Sequence, residues 1–415
     1  MTFLTAAEQT FIQEHLHADP HTLLLHTSAP ADVRLKVVAA QLVARQKAKI
    51  KLPTWYANPA LVFPPALSVE QASSERTAAY KASIVAKNGG QPSLLIDLTG
   101  GMGVDSLAFS RQADRVIYIE HQPDLAELAA FNLPKLGGDT IDFQANQGRN
   151  TDANDFLARF TDTADWFYLD PARRNQQGGK VVLLEDCEPN ILDWYGTGIS
   201  TGFRKKATSV LLKTSPLIDI EAVIRQLPDV AAVHIVSVDN ECKEVLFVLK
   251  AHEDPDVAVT TINLRSTGPD EVFIFRRSEE RTVPVQFGDP MRYLYEPNAS
   301  ILKAGAFRAV AERFGLYKLA PNSHLYTSDQ WIPDFPGRSF EVVGNCKPDR
   351  KEVQSFLPEP KANLSVRNFP EPAEMLRKKL GLAAGGVHYL FATTLVDKKK
   401  RILITRKPIH PSLLK

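Results

Sequence analysis

Residues 97–105 read Asp97-Leu98-Thr99-Gly100-Gly101-Met102-Gly103-Val104-Asp105, between the apolar run Ser93-Leu94-Leu95-Ile96 and the helix-like Ser106-Leu107-Ala108-Phe109-Ser110. A glycine-rich turn therefore joins a buried strand to a helix. Glycine accepts positive φ and lets backbone N–H groups approach a ligand, and the start of a helix favours a phosphate or carboxylate. Taken alone, the stretch fits either a nucleotide-binding turn or a purely structural one.

The acids around it narrow the choice. Val116-Ile117-Tyr118-Ile119-Glu120 reads as a second strand that ends in a carboxylate about twenty residues after the turn, where ribose hydroxyls can donate to it. The plain alternative is a solvated acid at a strand end. Asp97 would be unhelpful beside a pyrophosphate and suits a positively charged amino group, so the pair favours S-adenosylmethionine over a dinucleotide. A third strand ends in Ala145-Asn146-Gln147, where the Asn146 amide can read an adenine edge or simply form a turn.

The fourth strand and its exit read Asp165-Trp166-Phe167-Tyr168-Leu169-Asp170-Pro171-Ala172-Arg173-Arg174. Pro171 lacks an N–H and fixes φ, which holds Asp170 and the following carbonyls as rigid acceptors at the cleft. Such acceptors can position an amine, draw off its developing positive charge and align its lone pair for in-line transfer. Arg173 and Arg174 can clamp a phosphate or a carboxylate. The other reading is an ordinary strand-ending turn with surface arginines. Lys213-Thr214-Ser215-Pro216 closes the fifth strand and either lines the cleft or forms a plain exit from the sheet.

These residues need a scaffold, and 415 residues at 44% hydrophobic are enough for two to four domains. No early apolar run resembles a signal-peptide core and none reaches membrane-spanning length, which points to a cytoplasmic protein. Cys187, Cys242 and Cys346 are widely spaced and the histidines show no paired spacing, so neither a disulfide framework nor a metal site is expected. Charge is uneven: residues 338–415 hold 16 Lys and Arg against 7 Asp and Glu, a balance of +9, while the rest of the chain carries −8. Lys398-Lys399-Lys400-Arg401, Arg406-Lys407 and Arg377-Lys378-Lys379 concentrate that charge, consistent with a polyanion partner or with a solvated charged face.

Residues 1–88 read as a helical extension, interrupted by Leu52-Pro53-Thr54-Trp55 and by Pro64-Pro65. Residues 89–254 alternate strand and helix, with strands at Leu94–Asp97, Val116–Glu120, Ile141–Ala145, Trp166–Asp170, Val210–Thr214, His234–Val238 and Val245–Leu249. The link between the last two is too short for a crossover helix, so they must run antiparallel. The expected fold is thus α/β, a Rossmann-like seven-stranded sheet with an antiparallel last strand. Residues 255–336 form a small α+β module with runs at Val259–Leu264 and Val272–Phe275 and a helix from Ser300 to Phe314. Residues 337–415 alternate strands Phe340–Val343, Asn363–Val366, Tyr389–Leu395 and Arg401–Thr405 with helices Arg350–Phe356 and Ala373–Leu380.

The glycine turn, Glu120, Asn146, Asp170-Pro171-Ala172-Arg173 and the 234–249 hairpin together resemble class I S-adenosylmethionine-dependent methyltransferases. Most similar are bacterial members with a ferredoxin-like module and a THUMP-like C-terminal domain, distantly similar to RNA cap trimethylguanosine synthase. The likeness covers most of the chain, and its most specific part is the core. It implies methionine-end contacts from the loop that holds Asp97, Thr99, Gly100, Gly101, Gly103 and Asp105. It also implies ribose contacts from Glu120, adenine contacts near Asn146, and catalysis at Asp170 and Pro171 with Arg173 beside them.

One departure stands out. Enzymes that methylate exocyclic base amines often follow Asp/Asn-Pro with a second proline and a stacking aromatic, whereas Ala172 and Arg173 stand there in this chain. A base can still stack on the Arg173 guanidinium or on an aromatic elsewhere. Three readings therefore remain: methylation of RNA, either tRNA or rRNA, held through residues 338–415; an RNA-binding protein with an inactive methyltransferase fold; and methylation of a protein or small molecule. A dehydrogenase fits the glycine turn but not the closing hairpin.

Overall fold

The computed structural model describes residues 3–26, 29–143, 152–173, 183–196, 206–251, 254 and 256–408. They divide into two compact units, one of residues 1–231 with 245–253 and one of 232–244 with 254–415. Among the described residues no helix is long and apolar enough to cross a membrane.

The first unit opens with six helices, α1 (Ala6–Glu14), α2 (Pro20–His26), α3 (Leu35–Lys51), α4 (Pro53–Ala57), α5 (Ala66–Gln71) and α6 (Glu75–Lys87). Thr5 and Glu8 form a capping box at the start of α1, and Phe11, Ile12, Leu23, Val38 and Leu42 make the small core of the first three helices. Pro64-Pro65 ends an extended segment, Leu61-Val62-Phe63, that is buried outside any strand. Its backbone must still find hydrogen-bond partners. Side-chain amides supply them: Gln41 bonds both the N–H and the C=O of Phe63 at 2.9 and 2.7 Å. Asn132 does the same for Val62 at 3.0 and 2.7 Å. Because Asn132 ends α8 (Pro123–Asn132), this segment ties the helical extension to the sheet domain.

The sheet of this unit contains β1 (Leu94–Asp97), β2 (Arg115–Tyr118), β3 (Ile141–Asp142), β4 (Ala164–Leu169) and β7 (Ala207–Thr214), all parallel, in the order β3-β2-β1-β4-β7. The short β5 (Ala172–Arg173) and β6 (Cys187–Glu188) form a separate antiparallel pair. The central strands are buried on both faces, which explains their near-continuous apolar sequences. β8 (Val230–Val238) and β9 (Glu241–Lys250) follow, joined by Asp239-Asn240, both with positive φ, the conformation a two-residue hairpin turn requires. Residues 245–250 of β9 pair antiparallel with β7, as the short connection predicts. The third strand was expected to reach Ala145; residues 144 and 145 lie outside the described set.

In the second unit, residues 232–238 of β8 pair parallel with β10 (Ala258–Leu264), and β11 (Glu271–Arg276) pairs antiparallel with β10. A seven-stranded sheet comprises β12 (Tyr293–Pro297), β13 (Tyr317–Lys318), β14 (Tyr326–Ser328), β15 (Gly337–Cys346), β16 (Lys361–Val366), β17 (Ala383–Thr394) and β18 (Lys400–Arg406), in the order β13-β14-β12-β15-β18-β17-β16. Helices Arg350–Ser355 and Ala373–Leu380 pack Val353, Leu376 and Leu380 against Leu364, Leu390, Ile402 and Ile404. A second cluster holds Leu294, Phe340, Phe391 and Leu403.

Two expectations change here. The helix expected from Ser300 to Phe314 is two helices, Ala299–Ala304 and Phe307–Arg313. Gly305, at φ +71°, caps the first in the left-handed conformation and breaks the run. Strands β12, β13 and β14 were not anticipated, since they are two to five residues long and carry no extended alternating pattern.

Candidate active site

The carboxyl ends of β1, β2 and β4 are knitted together by the loops that follow them. Leu98 N–H donates to Tyr168 O at 3.0 Å, Ile119 N–H to Asp97 O at 2.9 Å, and Gly100 N–H to Ile119 O at 2.7 Å. Asp97 lies wholly inside this weave: it accepts from Thr99 N–H at 3.0 Å and from the Ser106 hydroxyl. Burial pushes its carboxyl up to about 7, and the nearby charges of Asp105 and Asp170 act in the same direction. The sequence matches Asp97 to a positively charged amino group; in the structure its two oxygens accept from Thr99 N–H and Ser106 Oγ.

The glycines have distinct reasons. A Cβ on Gly100 would run into the Tyr118 ring, and one on Gly103 would lie 2.6 Å from Leu133 Cδ1. Gly101 (φ +53°) and Gly103 (φ +88°) are left-handed, and Gly103 caps α7 (Val104–Phe109). Gly101 is held from both sides: its N–H donates to Glu120 Oε2 at 2.7 Å, and the buried Tyr118 hydroxyl donates to its carbonyl at 2.6 Å. Glu120 is itself buried at the end of β2 and also accepts from Gln122 N–H at 2.8 Å. The turn and the ribose-type acid predicted from sequence are thus in direct contact.

Asp105, on the first turn of α7, belongs to a buried network that reaches into the helical extension. Ser73 and Tyr168 each donate a hydroxyl to Oδ2 at 2.7 Å. The Lys81 ammonium lies 3.1 Å from Oδ1 and donates to Ser73 Oγ at 2.8 Å. Burial works to raise the Asp105 pKa, but Lys81, then Lys213 and the Ser73 and Tyr168 hydroxyls, hold it below the usual carboxylate value. Ser73 and Lys81, both in the helical extension, are thereby joined to Asp105.

At the end of β4, Asp170 N–H donates to Thr99 Oγ1 at 2.6 Å, which locks the Asp-Pro exit to the glycine turn. The Asp170 carboxylate accepts from Lys213 Nζ at 2.5 Å. Ala172 and Arg173 leave the sheet as β5 and pair with Glu188 and Cys187. Asn146 and Arg174 lie outside the described residues. Asp97, Thr99, Gly100, Gly101, Gly103, Asp105, Glu120 and Asp170 are therefore one connected assembly. Lys213 carries more than a plain exit from the sheet would, and its signal in the sequence is a lysine one residue before the end of an apolar strand beside β4.

Glu120 and Asp170 flank a turn with no Cβ at Gly100, Gly101 or Gly103, while Asp97 and Asp105 lie buried behind it. That set is poorly suited to a pyrophosphate and well suited to a neutral nucleoside joined to a cationic amino-acid arm. Sheet order and site together define a Rossmann-like class I methyltransferase.

Comparison with known proteins agrees. The crystal structure of a proposed methyltransferase from Porphyromonas gingivalis W83 superposes with a TM-score of 0.84 and 32% identity, over 99% of this chain and 100% of that one. An uncharacterized S-adenosylmethionine-dependent methyltransferase of Mycobacterium tuberculosis, in strains H37Rv and CDC 1551, is 24% identical over 331 residues, 76% of this chain and 80% of its own. Residues 293–336 match a ferredoxin-like domain family and residues 337–407 a THUMP domain-like family. The chain belongs to the S-adenosylmethionine-dependent methyltransferases that carry these two C-terminal domains, and S-adenosylmethionine is its cofactor.

Proposed function

We propose that the protein is a cytoplasmic RNA methyltransferase that modifies a base nitrogen in structured RNA, tRNA or rRNA. The observation that carries the RNA reading is the basic C-terminal module: residues 338–415 hold a balance of +9 and coincide with the THUMP-like match. Lys and Arg on such a surface neutralise phosphates and release counterions. On this reading residues 89–254 are the catalytic domain, 1–88 a helical extension, 255–336 a small α+β, ferredoxin-like module and 337–415 the RNA-holding module.

When bound, S-adenosylmethionine supplies an electrophilic methyl group. In this proposal Thr99, Gly100, Gly101 and Gly103 shape the wall beside its methionine end, with Asp97 and Asp105 setting the loop from behind. Glu120 takes the ribose hydroxyls and Asn146 the adenine edge. Asp170 and the rigid carbonyl of Pro171 hold the acceptor base, and Arg173 clamps a neighbouring phosphate or stacks on a base. The bond from Asp170 N–H to Thr99 Oγ1 supports this division, because it fixes the acceptor side of the cleft to the cofactor side.

Mass-spectrometric comparison of RNA nucleosides from wild-type and deletion strains tests the reading: one methylated nucleoside should vanish on deletion. Ala172-Arg173 in place of a proline and an aromatic favours a second reading, an RNA-binding protein without catalysis. Persistence of the modified nucleoside in a strain carrying Asp170→Ala would select it.

A further inference from the structure

Lys213 is the penultimate residue of β7 and Asp170 follows β4, on adjacent parallel strands, with Nζ and Oδ2 2.5 Å apart. The lysine side chain is 13% exposed and the aspartate 35%, so a shielded ammonium stands behind a carboxylate that still faces solvent. From this pair, and resting on the RNA reading, we infer that the acceptor is a weakly acidic ring N–H flanked by a carbonyl, as at N1 of guanine or N3 of uracil, and not an exocyclic amine.

An amine nitrogen becomes positive as it gains a methyl group, and the Lys213 ammonium, 2.5 Å from Asp170, weakens the carboxylate's power to offset that charge. A lactam nitrogen has the reverse requirement. It must lose a proton, and the negative charge left behind spreads onto the adjacent carbonyl oxygen. In this proposal the Asp170 carboxylate accepts from the N–H, and the Lys213 ammonium beside it offsets the negative charge that builds on the neighbouring carbonyl. The N–H proton passes to an Asp170 oxygen, and the nitrogen pair forms the new N–CH3 bond. The S–CH3 pair stays with sulfur, and the proton leaves to solvent. Ala172 and Arg173 are consistent with this, since the second proline and aromatic often found in amine-directed sites are missing.

The test uses the full-length protein, isotopically labelled S-adenosylmethionine and RNA from a strain lacking the gene, with digestion to nucleosides and mass spectrometry. Labelled N1-methylguanosine or N3-methyluridine is expected. Any other labelled nucleoside, N6-methyladenosine, N4-methylcytidine and N2-methylguanosine among them, overturns the acceptor inference and leaves the RNA reading standing. Transfer only to a protein or small molecule overturns the RNA reading and with it the acceptor assignment, and absence of any transfer overturns both. Lys213→Met should lower kcat about 100-fold, with Lys213→Arg restoring most of it. Cofactor affinity by calorimetry should stay within about twofold in both variants, the range of a group that does not touch the cofactor. Unchanged kcat in Lys213→Met, or a loss of cofactor affinity parallel to the loss of kcat, overturns the role of Lys213.

Discussion

The Lys81 ammonium on α6 and the Asp105 carboxylate on α7 are 3.1 Å apart and both shielded from water, so the helical extension supplies the counter-charge for the helix that follows the glycine turn. Removing one partner of a buried pair strands the other. Lys81→Met should therefore destabilise the protein by about 3–5 kcal/mol in urea unfolding. Lys81→Met with Asp105→Asn should recover most of that loss, because an amide can still bond Ser73 and Tyr168 without charge. A single variant as stable as wild type would remove the pair from any structural role.

Asp97 makes a pH prediction of the opposite kind. Its folded pKa, about 7, lies above the ordinary aspartate value because burial disfavours the ionised form. Its favourable contribution is therefore complete below the unfolded value near 4, declines as pH rises, and is gone above about 7. Relative to Asp97→Asn, wild type should lose on the order of 4 kcal/mol between those limits and then run parallel to the variant. Chemical unfolding of both proteins at pH 4, 5.5, 7 and 8 checks it; a constant difference across the series would contradict the shift.

The sequence made the strands and the turn legible because each is a local pattern. Leu94–Asp97 and Ala373–Leu380 fall where periodicity and flanking residues place them. The pairs that give the site its electrostatics were not legible. Ser73 and Asp105 are 32 residues apart, and Asp170 and Lys213 are 43 apart, and a charge in the sequence carries no record of which distant charge it meets. Asp97 shows the same limit: its position before the turn was clear, but its complete burial depends on Ser106 and on the crossing of three loops.

Cofactor affinity should follow the geometry of the turn. Gly100→Ala drives a methyl into the Tyr118 ring, and Gly101→Arg places a long side chain where φ is +53° and the N–H is bound to Glu120. Both should weaken S-adenosylmethionine binding by about 100-fold or more in isothermal titration, since strain and lost backbone approach combine. Glu120→Gln is the milder probe and should weaken binding about tenfold, through loss of charge-assisted acceptance. Asp97→Ala should also abolish the calorimetric signal by releasing the turn. NADH binding in place of S-adenosylmethionine would refute this account of the turn.

The turn between β17 and β18 carries Lys398 and Lys399, and Lys400 opens β18, all three exposed, with Lys398 at φ +63° and Lys399 paired to Asp397. If this surface holds RNA phosphates, affinity must fall with salt, and the slope counts the neutralised charges. Changing all three lysines to glutamine in the full-length protein should flatten the plot of log affinity against log salt by about 2, measured by fluorescence anisotropy with a structured RNA from about 50 to 200 mM KCl. The ion pair to Asp397 explains why the loss should be smaller than three full contacts, because Lys399 already has a partner. S-adenosylmethionine affinity should be unchanged, which separates a lost docking surface from a damaged fold. An unaltered slope would show that the charge of this turn is a solvated face and would move the search for the RNA contact to Arg377, Lys378 and Lys379.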